Sequence, residues 1–385
     1  MAPHSDAPSP VGSFTQEYNM SFRPNLSSGL RNSESAQSSI YSDPSMNDSQ
    51  YASSLSSSLI DMDEHSTIRR QLGPGVYVPT VCFFQDIKGE EELDRATIRK
   101  HAVRLAKAGV TGLCTQGSNG EAVHLTHEER REVTSETRQA LNDAGFSSMP
   151  IIVGCGTQSI RETIQYCKEA YAAGGDYALV LPPSYYAGLF KAGSASVIEY
   201  FEKVAAKSPI PLIIYNYPGA VSGMDLSSDL IIRLAENENI YGVKLTCGNT
   251  GKLNRIAAGT RHIKKANSSV GFVVLGGSAD FTMQSLIGGG HGILAGLANI
   301  SPKSCLEIIR EYNAGNIAEA VRLQEIVARG DWTAIQGGVV GTKAGLEGHF
   351  KYGGYGRSPL PRPDVTEMQR WTAGFAELIQ LEASL

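Results

Sequence analysis

The chain lacks any apolar run near the ~20 residues that a membrane-spanning helix needs, so an integral membrane protein is not expected. It also lacks an excess of basic charge. Its 34 Lys and Arg stand against 39 Asp and Glu, a formal −5, which argues against a nucleic-acid partner. The six cysteines (Cys82, Cys114, Cys155, Cys167, Cys247 and Cys305) contain no Cys-x-x-Cys pair. With no apolar secretory segment ahead of them, they are expected as buried free thiols rather than disulfides or zinc ligands.

What is present is a chain of 385 residues, 41% hydrophobic, long enough for one large domain or two ordinary ones. Its charge is unevenly spread. Residues 1–65 carry two basic groups (Arg23, Arg31) against eight acidic ones, so this stretch holds −6 and the remainder about +1. The first 60 residues include 18 Ser and have almost no apolar periodicity. Such a segment cannot bury enough apolar area to offset its chain entropy, and residues 1–70 are expected as a disordered acidic tail. A transit peptide is Arg-rich and poor in acids, the reverse of this stretch, so the expected compartment is the cytoplasm.

From residue 70 onward, short apolar runs alternate with longer amphipathic segments. The runs predict strands at Val76–Phe84, Gly112–Gln116, Pro150–Val153, Tyr177–Leu181, Pro211–Tyr215, Tyr241–Lys244, Gly271–Leu275 and Gly292–Ala295. Helices are predicted between them, and Thr126 with Glu129 has the spacing of a capping box. Eight strand–helix units over 71–312 fit a (β/α)8 TIM barrel. The rival, a doubly wound open sheet, wants a glycine fingerprint after its first strand, where this chain has Gln85-Asp86-Ile87-Lys88. Residues 313–385 read as a C-terminal helical extension, with helices at Ala318–Arg329, Trp332–Ala344 and Val365–Glu382.

Barrel chemistry sits at the C-terminal ends of the strands, which reduces the candidates to a short set. Strand 6 ends in Lys244, strand 5 in Tyr215-Asn216-Tyr217-Pro218, and strand 2 leads into Gly117-Ser118-Asn119-Gly120-Glu121. A lysine at a strand end commonly snorkels to water. One pointing into a ring of tyrosines and glycines can instead attack a carbonyl carbon, since desolvation disfavours an ammonium. A tyrosine beside it can carry protons, although strand tyrosines often only pack. The glycine-rich turn offers backbone N–H groups for a carboxylate and the Ser118 hydroxyl for a relay. Gly248-Asn249-Thr250-Gly251-Lys252 fails as a phosphate loop because Leu253 stands where Ser or Thr is needed. His124 and His127 have no third ligand at metal spacing, and His291 reads as a packing residue beside strand 8.

Together these motifs resemble the dihydrodipicolinate synthase/N-acetylneuraminate lyase superfamily over roughly residues 73–383. Gly117–Glu121 is similar to its G-x-x-G-E turn, Tyr215-Asn216-x-Pro218 and Gly242-Val243-Lys244 to its tyrosine and Schiff-base lysine motifs, and Gly289–Gly292 to its approach to strand 8. Within it, the runs around Ser118–Thr126, Tyr215–Val221 and Thr246–Leu253 look like the fungal L-threo-3-deoxyhexulosonate aldolase branch. The 4-hydroxy-2-oxoglutarate aldolase branch shares the Gly-Ser-Asn-Gly-Glu turn and the Tyr185-Tyr186 pair.

The resemblance implies a class I pyruvate aldolase with Lys244 as imine-forming nucleophile and Tyr215 as general acid/base. Ser118 would link Tyr215 to a tyrosine from a neighbouring subunit, Tyr186 or Tyr185 beside it, which implies a homodimer or homotetramer. The backbone of Ser118 and Asn119 would hold the carboxylate of a small 2-oxo acid, with Gly277, Ser278 and Leu294 lining the pocket. Neither cofactor nor metal is expected. Where dihydrodipicolinate synthases carry a substrate-binding Arg, Pro218-Gly219 is here followed by Ala220, which favours an uncharged aldehyde partner. The alternatives are a 4-hydroxy-2-oxoglutarate aldolase and, from another class, a non-catalytic barrel that acts through its acidic tail.

Overall fold

The structure is a computed structural model that describes residues 70–190 and 195–385. The segment expected to be disordered, 1–70, lies outside the described residues except for Arg70.

Eight parallel strands close into a barrel: β1 (Gly75–Pro79), β4 (Gly112–Thr115), β5 (Ile151–Gly154), β6 (Tyr177–Val180), β7 (Leu212–Asn216), β8 (Ile240–Leu245), β9 (Val273–Gly276) and β10 (Gly292–Leu294). Each pairs with its chain neighbour, and β10 returns to β1. This is the (β/α)8 barrel expected from the sequence. All the strand residues are buried, as a parallel sheet covered by helices requires. Alternate residues divide between two apolar clusters. Val76, Val78, Leu113, Ile151, Ile214 and Val243 pack with the helices, whereas Tyr77, Cys114, Ile152, Leu179, Ile213, Leu275 and Leu294 pack with one another inside the barrel.

One irregularity decides where the chemistry points. Leu212 of β7 pairs with Ile240, but Ile213 pairs with Gly242, so β8 holds one extra residue at Tyr241. A bulge of this kind re-phases the alternation. Tyr241 joins the interior cluster, Val243 and Leu245 face the helices, and Lys244 comes into register with Tyr215.

The strand predicted at Val76–Phe84 ends earlier, at Pro79. The Val81 amide donates to Asn299 Oδ1 (3.2 Å) rather than to a neighbouring strand, so the ladder stops. Phe84 begins an antiparallel hairpin, β2 (Phe84–Ile87) with β3 (Glu90–Leu93), turned at Lys88 and Gly89, both with positive φ. The apolar run had continued through Phe83, but Phe83 packs edge-on against His101 and Tyr352 instead of extending a strand.

The barrel helices are α1 (Arg95–Lys107), α2 (His127–Asp143), α3 (Ile160–Ala172), α4 (Ala195–Lys207), α5 (Ser228–Ala235), α6 (Thr250–Thr260), α7 (Thr282–Ile287) and α8 (Pro302–Asn313). Thr126 and Glu129 form the expected capping box ahead of α2. Ser227 caps α5, accepting from the Leu230 amide (3.2 Å). Beyond the barrel, α9 (Ile317–Phe350) runs through both of the first two helices expected there, interrupted only at Gly338 (φ 55°, ψ −147°). The last expected helix is split at Phe375 into α10 (Val365–Gly374) and α11 (Ala376–Ser384).

Candidate active site

Lys244 is 4% exposed and is the only charged residue on the eight barrel strands. Its Nζ lies 4.2 Å from the centroid of the Tyr215 ring, and among the described residues it has no ion-pair partner. The nitrogen is thus buried and uncommitted to a carboxylate. Tyr215 offers Lys244 its ring face and turns its hydroxyl to Ser118 Oγ, 3.4 Å away. Tyr217 stacks on Tyr215 (5.7 Å, 26°), and its phenol is pushed up by burial and by Tyr215. Cys114, in the barrel interior, is raised to about 12 by burial against the lowering effect of nearby Lys244, so that thiol stays protonated.

Ser118 sits in the turn after β4. The amides of Gly120 and Glu121 are spent inside the turn, on Gly117 O (3.0 Å) and Ser118 O (3.2 Å). Among the described residues the amides of Ser118 and Asn119 have no acceptor, the condition for a backbone anion site. Gly120 is required sterically, since a Cβ there would come within 2.8 Å of Gln116 N. Glu121, in left-handed conformation (φ 52°), does not face substrate space. It is buried, pairs with Lys343 of α9 and accepts from the Arg357 amide (2.8 Å).

Two cavities meet at Ser118. The smaller, about 320 Å³, is lined by Tyr215, Gly117, Leu181, Pro182 and Ala220 among others. The larger, about 750 Å³, is lined by Asn119, Tyr217, Thr246, Gly277, Asp280 and, from α9, Asp331. Neither has an Arg or Lys in its lining among the described residues. In the larger cavity Thr246 Oγ1 and Asp280 Oδ1 are buried without a hydrogen-bond partner among the described residues, an expensive condition unless a ligand supplies one. Ser278 Oγ donates to Asp331 Oδ2 (2.6 Å), which also accepts from the amides of Ala279 (2.7 Å) and Asp280 (2.9 Å). Burial raises the Asp331 carboxyl to about 6 despite those three donors.

Of the residues singled out in the sequence, Lys244, Tyr215 and Ser118 come together, and Asn119, Gly277 and Ser278 line the larger cavity. Leu294 does not line either one; it is fully buried in the interior cluster. Tyr185 and Tyr186 are 80% and 62% exposed and touch each other (5.0 Å, 82°) rather than Ser118. His124 and His127 are separated by their partners: His124 meets Glu121, and His127 bridges Glu162 and Glu169. The His291 ring accepts from the Val274 amide (3.0 Å), in keeping with a packing role. Thr246, Asp280 and Asp331 were missed. Thr246 directly follows β8 and could have been found by the strand-end rule; Asp331, within a helix, carried no signal.

A model of the dihydrodipicolinate synthetase family matches residues 76–369. A protein of Emericella nidulans named as a mitochondrial 4-hydroxy-2-oxoglutarate aldolase is 53% identical over 316 residues, 82% of this chain and 98% of that one. A Hypocrea jecorina protein named L-threo-3-deoxy-hexylosonate aldolase is 48% identical over 311 residues, covering 81% and 98%. Among solved structures, a dihydrodipicolinate synthase family protein from Coccidioides immitis superposes with a TM-score of 0.70 at 33% identity, covering 83% of this chain and 100% of that one.

Proposed function

Because the chain belongs to the dihydrodipicolinate synthetase family, we propose that it is a Schiff-base pyruvate aldolase cleaving a 2-keto-3-deoxy sugar acid such as L-threo-3-deoxyhexulosonate to pyruvate and L-glyceraldehyde. The observation that carries this is a buried lysine with no ion-pair partner among the described residues, set over a tyrosine whose hydroxyl meets a serine.

Lys244 Nζ attacks the C2 carbonyl, and Tyr215 gives its proton to the oxygen that departs as water. The resulting iminium draws the C3–C4 bonding electrons toward nitrogen as Tyr215 takes the proton of the C4 hydroxyl. The aldehyde leaves, the enamine is protonated at C3, and water releases pyruvate and the free lysine. The amides of Ser118 and Asn119 hold the substrate carboxylate throughout. Ser118 passes protons onward to a tyrosine of a second copy, for which exposed Tyr186, with Tyr185 beside it, is the candidate. A homo-oligomer is part of this reading.

The larger cavity supports the choice of aldehyde. Thr246 Oγ1 and Asp280 Oδ1 need partners, and a carboxylate wall with no cation in its lining among the described residues suits neutral hydroxyl donors. Glyoxylate would bring a like charge to the same wall. The competing reading as a 4-hydroxy-2-oxoglutarate aldolase uses the same lysine and tyrosine and is favoured by the name of the Emericella relative. Condensation of pyruvate with each aldehyde separates them. The expected kcat/KM is at least about tenfold higher for L-glyceraldehyde, the scale of one hydrogen bond made or a like charge avoided; a preference for glyoxylate would refute the sugar-acid reading.

No described helix is long and apolar enough to cross a membrane. A cytoplasmic location is proposed from composition alone; the Emericella relative's name says mitochondrial of that protein.

A further inference from the structure

Helix α9 lies outside the eight strand–helix units, yet its buried charged residues reach into both turns that carry the substrate-facing groups. Asp331 is 3% exposed, and all three hydrogen bonds it accepts come from the turn after β9, at Ser278, Ala279 and Asp280. Two turns earlier, Gln324 of the same helix accepts from the Met283 amide (2.9 Å) and donates to Ala279 O (2.9 Å). Lys343 is fully buried. It pairs with Glu121, three residues after Ser118, and donates to Tyr355 O (2.9 Å). Between these two anchors the helix breaks at Gly338, which lines the larger cavity with Ile335, Val339 and Thr342.

We propose that α9 braces the site at two points, with Asp331 positioning the β9 turn and the Lys343–Glu121 pair positioning the β4 turn. This rests on the aldolase reading for which end of the substrate each turn serves. Asp331 fixes the backbone of Asp280, whose free Oδ1 faces the aldehyde side. Lys343 fixes Glu121, which closes the turn whose Ser118 and Asn119 amides face the carboxylate side. Lys343 and Glu121 line neither cavity, and Asp331, which borders the larger one, spends its Oδ2 on the β9 turn, so each anchor acts through the turn that it holds. The Gly338 break lets one helix present both anchors, because a residue with φ near +55° redirects the axis between them.

The test uses the full chain and two variants, Asp331→Asn and the double Glu121→Gln/Lys343→Met, which removes both charges and so leaves neither buried alone. KM for pyruvate and KM for L-glyceraldehyde are read from condensation product. Backbone hydrogen exchange of residues 117–121 and 276–280 is read without substrate. Asp331→Asn is expected to raise KM for the aldehyde about tenfold, the scale of one hydrogen bond, while pyruvate KM moves less than about twofold. Its exchange should quicken only over 276–280. The double variant should show the converse, raising pyruvate KM and quickening exchange over 117–121.

A merely structural role would move both constants and both turns together. That result, or no change in either, overturns the brace. If the double variant does not fold, Asp331→Asn decides alone by the same split. Should the unaltered chain make no product from either aldehyde, the aldolase reading fails, and the exchange pattern still decides the brace.

Discussion

The barrel interior and the surface where the C-terminal helices meet the barrel are buried by different means. Inside the barrel, Tyr77, Cys114, Ile152, Leu179, Ile213, Leu275 and Leu294 form an apolar cluster, and the strands contribute a single charge, Lys244. The outer contact is held by buried polar groups. Lys343 pairs with Glu121, Asp331 gathers the β9 turn, and Glu382 of α11 accepts from Ser301 Oγ (2.8 Å) and the Ser304 amide (2.9 Å) at the start of α8. His101 donates from Nε2 to Asn299 (2.9 Å) and accepts at Nδ1 from Tyr352 (2.9 Å), whose oxygen in turn accepts from Arg104 (2.7 Å). Apolar burial is non-directional and sets the scaffold, whereas hydrogen-bonded charges fix particular atoms. The candidate site lies where these two regimes meet.

The sharpest way to break this contrast is to exchange losses of function and stability. Tyr215→Phe keeps the ring in the interior cluster but removes the proton carrier, so turnover should fall about 10²–10⁴-fold with the denaturant midpoint nearly unchanged. Lys343→Met leaves the Glu121 carboxylate buried without its cationic partner, which should cost about 3–5 kcal/mol of stability in the same measurement. Retained turnover in the first variant, or a wild-type midpoint in the second, would erase the distinction.

A smaller effect comes from pH. Burial, assisted by Arg104, holds the His101 imidazole down at about 3, below its ordinary 6.5. Its contribution to stability is therefore intact above about pH 6.5 and is lost as pH falls toward 3, because the unfolded chain takes up a proton that the folded one refuses. By pH 5 this amounts to about 2 kcal/mol. Asp331 runs the other way. Raised to about 6 from 3.8, its contribution is full below 3.8 and is lost as pH rises through 6. His101→Gln should therefore flatten the stability loss between pH 7 and pH 5, and Asp331→Asn should steepen it, as read by denaturant unfolding at both values. Equal differences in all three proteins would contradict the assignment.

The contrast also explains what could be read from the sequence. The barrel strands were legible because each is a short aliphatic run bounded by turn residues, and Lys244 stood out as the charge that ends one of them. The Tyr241 bulge was not visible, since Ile240-Tyr241-Gly242-Val243 reads as an unbroken apolar strand whatever its register. Phe83 and Phe84 extended the first strand on paper because packing against His101 leaves the same apolar signature as strand pairing. Lys343 reads as an ordinary charge on a helical pattern, and Asp331 falls between two expected helices. Their burial depends on partners far away in the chain, 222 residues in the case of Glu121 and Lys343, and such pairings have no local pattern. Tyr185 and Tyr186 were found by motif, but their exposure leaves the relay to a second copy.

Central to the account is that the buried amine of Lys244 forms a covalent imine with a 2-oxo acid. Borohydride reduction in the presence of pyruvate, followed by peptide mass analysis, tests this directly. One stable pyruvate adduct located on Lys244 is expected, and none in Lys244→Ala, which should be inactive. An unmodified Lys244, or full activity in Lys244→Ala, would contradict it.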